Sequence, residues 1–130
     1  TIVLFNSHMI SLNGALGLVL GDNIGTCITA QLASIGTGIQ ARRTAWSHTI
    51  YNVIGAFLAM SLLNPFSKLI MFITDLLGQD HSRLIANAHT IFNLMSALLF
   101  LPITKYYVKF IEWIVPDRGL NHSKAFLKPE

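Results

Sequence analysis

The chain has 130 residues, of which 52% are hydrophobic and only 12% charged, with a mean hydropathy of +0.54. A water-soluble domain carries charge on about a quarter of its residues, so this composition points to lipid as the surrounding medium. The net charge of +3 does not indicate nucleic acid, because the nine basic residues are scattered at segment ends without an aromatic-interleaved patch, and a single cysteine, Cys27, excludes an internal disulfide and a cysteine cage for a metal.

Along the chain, residues 2–20 are apolar but interrupted by Asn6, Ser7, His8, Asn13 and Gly14, which predicts a broken or hairpin segment. Neither this opening nor Thr1 suits a signal peptide, and the sequence reads as a cut fragment. Gly21, Asp22 and Asn23 form a turn and cap signal ahead of a short buried helix over residues 24–34, which Gly36 and Gly38 end. Residues 1–38 are therefore expected to form a broken or re-entrant unit. After Arg42 and Arg43, residues 44–63 make a transmembrane helix close to the roughly 20 residues that cross about 30 Å of hydrocarbon. Asn64 and Pro65 end or kink it. Residues 66–77 are too short to cross comfortably, residues 78–82 are a polar loop, and residues 84–101 form the second transmembrane helix, stopped or bent by Pro102. Residues 103–115 place Lys105, Lys109 and Glu112 along one face, as in an interfacial helix. The membrane domain is expected to end at residue 116, with residues 117–130 a polar tail leading to a soluble domain.

If the two long helices cross and the short ones lie flat, Arg42, Arg43, Lys105, Lys109, Arg118, Lys124 and Lys128 share one side, leaving Lys68 and Arg83 opposite. Seven against two makes the first side cytoplasmic. The expected setting is the plasma (inner) membrane, multi-pass, with the tail from Pro116 in the cytoplasm. Short helices that cross instead leave the bias less simple.

An internal echo links the two long helices. Residues 47–52 read SHTIYN and residues 88–93 read AHTIFN, with Ala56 and Ala97 following at equal distance, and Pro65 and Lys68 match Pro102 and Lys105. In each unit a histidine and an asparagine, His48 with Asn52 and His89 with Asn93, lie four residues apart on one helix face. Such faces are costly against lipid and are expected to point inward. Interhelical hydrogen bonding is their plainer role, ahead of direct ligand contact. A metal site built from the two histidines lacks a third ligand other than the distant Asp22 or His8.

The segment richest in chemistry is GDNIGT, residues 21–26. Gly17, Gly21 and Gly25 recur every four residues, so on a helix they line one face and admit a neighbouring backbone. That packing role leaves Asp22, Asn23, Thr26 and Thr29 without explanation. A helix broken at membrane depth presents free amides to an anion and free carbonyls to sodium. Here Asn23 is suited to cap or coordinate, Thr26 and Thr29 to donate to the oxygens of an anion, and Asp22 to bind a cation or cap the helix. Packing and ligand binding both remain open on composition alone.

Taken together, GDNIGTCITAQLASIG (residues 21–36), ARRTAWSHTIYNVIG (41–55), RLIANAHTIFN (83–93) and VPD (115–117) resemble the sodium/phosphate cotransporters of the type II class and their bacterial relatives, over nearly all of residues 1–118. The resemblance implies an all-α polytopic membrane protein built from two inverted repeats, each with a re-entrant hairpin bearing a QSSS-type motif followed by an NIGT-type segment. This chain is similar to the second repeat. The QSSS motif is absent from it, and Thr1 stands where the residue following that motif is expected. Asn23, Gly25, Thr26 and Thr29 match the NIGT pattern, whereas Asp22 replaces a residue that is usually small in the family, so no sodium count carries over. Bacterial members continue into a cytoplasmic helical domain, and the polar tail from Pro116 is similar to the lead-in to it. The implied activity is sodium-driven phosphate import by alternating access, without covalent chemistry or a cofactor beyond sodium as coupling ion. Its partners are phosphate, sodium, membrane lipid and the missing first repeat. A non-transporting membrane scaffold, or an intramembrane metal enzyme using His48, His89 and Asp22, are the competing expectations.

Overall fold

The computed structural model describes residues 1–117; residues 118–130, including Arg118, Lys124 and Lys128 of the charge comparison, lie outside the described residues. Within them every regular element is a helix. The short α1 (Ile2–Asn6) runs into a reversal at which His8 takes a φ of 56°, an uncommon left-handed conformation for a residue with a side chain. Ser11 then starts α2 (Leu12–Gly25) by accepting the Gly14 amide at 3.2 Å. There follow α3 (Cys27–Ala33), α4 (Ile39–Ser61), α5 (Leu63–Leu76), α6 (Leu84–Phe100) and α7 (Thr104–Ile114). Gly36, with φ of 74°, closes α3, and Gly78, with φ of 61°, opens the loop after α5.

α2 occupies the centre. Its Leu16 and Leu20 are buried with Ala56 of α4, Phe66 and Ile70 of α5, and Leu84, Ala88 and Phe92 of α6. A second contact joins Ala15 and Val19 to Ile85. The outer faces stay strongly apolar, with Phe57, Phe72, Leu76, Leu98 and Leu101 all more than 60% exposed. Exposed apolar surface on this scale marks faces that meet another protein surface or lipid.

The two proline sites, matched in sequence, behave differently. Before Pro65 the helix breaks at Leu62, and α5 leaves α4 at 90°, with Pro65 inside the first turn of the new helix, where its missing amide is harmless. At Pro102 the chain only tightens to a 3₁₀ turn over Leu101–Ile103, braced by the Thr104 hydroxyl shared between the Phe100 and Leu101 carbonyls at 3.1 and 2.8 Å. α7 therefore continues the line of α6, and His81–Ile114 is one run long and apolar enough to cross a membrane. α4 and α5 meet the same measure only when taken together across their bend.

α4 lies antiparallel to α6 and α7. Arg43 meets Glu112 and the Val115 carbonyl at 3.3 and 3.1 Å, the Tyr107 hydroxyl donates to Ser47 O at 2.6 Å, and the Tyr51 hydroxyl donates to Asn93 O at 3.3 Å. The Phe100 ring sits between Tyr51 and Tyr107, with centroids 4.9 Å from each. Gly55 marks the closest approach, since a Cβ there would stand 2.9 Å from Ser96 Oγ and 3.2 Å from the Phe92 ring. Gly55→Ala is expected to cost about 1–3 kcal/mol by overpacking, read as a lower unfolding temperature of the full-length protein in detergent. Adding Ser96→Gly should regain part of the loss, because it removes the nearest atom.

Candidate functional site

The helix runs straight through Gly21, Asp22 and Asn23, so these residues are neither a turn nor a cap. The interruption falls at Thr26 and is shallow. Thr26 keeps helical dihedrals (φ −60°, ψ −24°), and its amide donates to Asp22 O at 2.9 Å. The expected stretch of bare backbone near Asn23 is thus replaced by a one-residue break between α2 and α3. Side chains attend its carbonyls: the Thr26 hydroxyl donates to Asp22 O at 2.7 Å, the Thr29 hydroxyl to Thr26 O at 2.7 Å, and the Cys27 thiol to Asn23 O at 3.4 Å. Local bonds of this kind are what hydroxyl side chains near a helix break tend to form.

The predicted residues separate into two groups. Asn23 is buried, and its Nδ2 donates to Val19 O at 2.9 Å. One turn on, Cys27 is 2% exposed and packs where α3 meets α4; its Sγ lies 3.7 Å from His48 O and accepts from Asn52 Nδ2 at 3.3 Å. Asn52, 3% exposed, also donates to His48 O at 3.2 Å. Asn23, Cys27 and Asn52 therefore form one buried polar contact that fastens α2 and α3 to α4. The remaining group, Asp22, Gly25, Thr26 and Thr29, is exposed together with Gly21. Gly21, Asp22 and Gly25 share one arc of α2 by helical geometry.

Several expectations are corrected by these positions. His48 and His89 are both exposed, and only their partners turn inward: Asn52 is buried and Asn93 half-buried. Each asparagine bonds the carbonyl of its histidine four residues back, Asn93 at 2.8 Å, so the echoed motif repeats a local bond and not a paired binding face. Among the described residues the glycine stripe admits no neighbouring backbone. A Cβ on Gly21 or Gly25 would meet nothing within 4 Å, and one on Gly17 would reach only the Met60 methyl at 3.8 Å. His48, His89 and Asp22 do not gather, and among the described residues no three acidic, histidine or cysteine side chains are placed to hold a metal.

Cys27 is the residue that sequence reasoning passed over. Its signal was the spacing, four residues after Asn23, which puts both on the same buried side of the α2–α3 unit. A groove of about 800 Å³ opens between α3 and α4, walled by Ile28, Leu32, Ile35 and Trp46, with Gln31, Thr49 and Arg42 as polar groups. Gln31 Nε2 donates to Thr49 Oγ1 at 2.8 Å across its floor. Of the predicted residues only Gly25 borders this groove.

Comparison with known proteins adds little beyond the geometry. No family model matches the chain, and no solved structure matches it. A stretch of 58 residues is 45% identical to the uncharacterized protein YqeW of Bacillus subtilis (strain 168), and covers 45% of this chain but 19% of that relative. The chain thus matches under a fifth of the length of a longer protein.

Replacing Asn52 with leucine removes the hydrogen bonds that its Nδ2 donates to Cys27 Sγ and to His48 O and should destabilise the protein by about 1–3 kcal/mol. Mass-mapped alkylation of Cys27 checks this: the thiol, shielded in the wild type, should react faster in the variant.

Proposed function

We propose that this chain is one repeat of a polytopic, inverted-repeat membrane transporter that imports inorganic phosphate together with sodium by alternating access. The carrying observation is the uncovered strip of Asp22, Gly25, Thr26 and Thr29 across the break between α3 and the largely apolar α2 at the centre of the fold. Ionisable and hydroxyl side chains left open on such a helix are costly in hydrocarbon unless another part of the protein or a ligand covers them. The missing first repeat is the natural cover, with the site completed between the two halves.

Within that site, the hydrogen bonding favours the sodium role for these residues. A hydroxyl has one proton and two lone pairs, and the protons of Thr26 and Thr29 are engaged by Asp22 O and Thr26 O. What the two hydroxyls turn outward is acceptor oxygen, which together with the Asp22 carboxylate suits a hard cation. Phosphate, which needs donors, would then be held chiefly by the other repeat. Asn23, already bonded to Val19 O, supports the site from behind.

The membrane setting is supported by the register of α4 against α6 and α7. Arg42 and Arg43 lie at the same end as Lys105 and Lys109 of α7, the end from which the tail departs at Pro116, and this end is assigned to the cytoplasm. The proposed location is accordingly the plasma (inner) membrane. A scaffold without transport is the second reading, favoured by the same threonine bonds, which also satisfy the helix break on their own.

Uptake of labelled phosphate by the full-length protein in vesicles, under an inward sodium gradient, separates the two. Thr26→Val and Asp22→Asn should each reduce sodium-dependent uptake by about tenfold, the effect of losing ~1.4 kcal/mol of binding, with unchanged folded yield. Asp22→Asn should also raise the sodium concentration giving half-maximal rate. Absence of sodium-dependent uptake by the wild type would leave the scaffold, whereas uptake indifferent to both substitutions would keep transport and remove Asp22 and Thr26 from the sodium site.

A further inference from the structure

α7 has three distinct faces. Tyr107 and Ile111 pack toward α4, with the Tyr107 hydroxyl on Ser47 O at 2.6 Å and Ile111 4% exposed. Arg43 locks the helix about its axis through Glu112 and the Val115 carbonyl. With its rotation set in this way, Tyr106, Phe110 and Trp113 are turned away from the bundle. They recur at intervals of four and three, one helical stripe, and are 76%, 44% and 76% exposed. The rings of Phe110 and Trp113 are already stacked, centroids 6.2 Å apart and planes 23° apart. On the arc beside this stripe stand Lys105 and Lys109, both exposed and without an ion-pair partner among the described residues. Glu112, the one acidic residue of α7, is held by Arg43, so the open surface is aromatic and positive.

The placement of α7 says what covers it. His81–Ile114 is a single run of 34 residues, about 51 Å long at 1.5 Å per residue, against ~30 Å of hydrocarbon. With the apolar α6 in the hydrocarbon, α7 passes through the headgroup layer. Aromatic rings with polar edges favour that layer, and unpaired lysines there attract anionic headgroups.

We propose that the Tyr106, Phe110 and Trp113 stripe with Lys105 and Lys109 is a contact site for anionic phospholipid headgroups. This rests on the membrane assignment above. Its charge complementarity is to a phosphodiester on the lipid surface, with the rings seated among glycerol backbones beside it.

The test uses full-length protein reconstituted in phosphatidylcholine vesicles containing brominated phosphatidylglycerol or brominated phosphatidylcholine. Quenching assigned to Trp113, by difference from a Trp113→Phe variant, reports which lipid sits at the stripe. Phosphatidylglycerol should be preferred, and the preference should weaken about fivefold for each of Lys105→Gln and Lys109→Gln, from the ~1 kcal/mol that one basic residue contributes at an anionic surface. High salt should weaken it in parallel. Equal quenching by both lipids, or a preference unchanged in the double glutamine variant, overturns the proposal, as does a greater loss of the preference in inorganic phosphate than in sodium chloride of equal ionic strength, which would assign the lysines to the free anion. No quenching from protein that resists carbonate extraction overturns it while leaving the membrane assignment intact. Protein released by carbonate removes both.

Discussion

Gly55 allows α4 and α6 to touch so closely that a single added carbon would collide with Ser96 and Phe92. Much of the architecture depends on this contact, because it sets the register of the antiparallel pair. With Gly55 beside Ser96, Tyr51 falls beside Phe100, Ser47 beside Tyr107 and Arg43 beside Glu112. The basic first turns of α4 thereby meet the basic helix α7, while its apolar second half meets the apolar α6. A division between two media can cut both helices at one level only when they pair in such a register.

The same register carries the polar interior. Asn52 lies one turn before Gly55 and reaches Cys27, so the close approach of α4 to α6 is accompanied one turn away by a hydrogen-bonded contact to α3. Buried amides and a thiol are expensive to leave unpaired, and here each has its partner. This fixes α2 and α3 as a unit and turns the opposite side, with Asp22, Thr26 and Thr29, outward. Whether a residue of the GDNIGT segment is buried in the fold or left open is decided by which side of this unit it occupies.

A shallow break at Thr26 has a functional logic of its own. An unwound segment would expose several amides and carbonyls, each demanding a partner in hydrocarbon. One residue out of register, with its carbonyls attended by Thr26, Cys27 and Thr29, keeps that demand small and leaves hydroxyl oxygens on the open side. Under the coupling role proposed above, such an arrangement would take up a cation with little rearrangement.

The sequence by itself determined the all-helical composition and the position of most helices, because apolar runs between Gly36, Gly78 and the proline sites are local patterns and each helix closes its own backbone hydrogen bonds. It also isolated the polar residues of the GDNIGT segment, since unsolvated polar groups stand out in an apolar background. Only the tertiary structure decided which way those residues face. His48 and Asn52 share a helix face by spacing, yet one is exposed and the other buried, because the neighbour α3 covers only part of that face. Pro65 and Pro102 carry the same local instruction, yet one makes a 90° corner and the other a tightened turn. A proline removes one amide and crowds the preceding turn; what the helix does next is set by the packing around it.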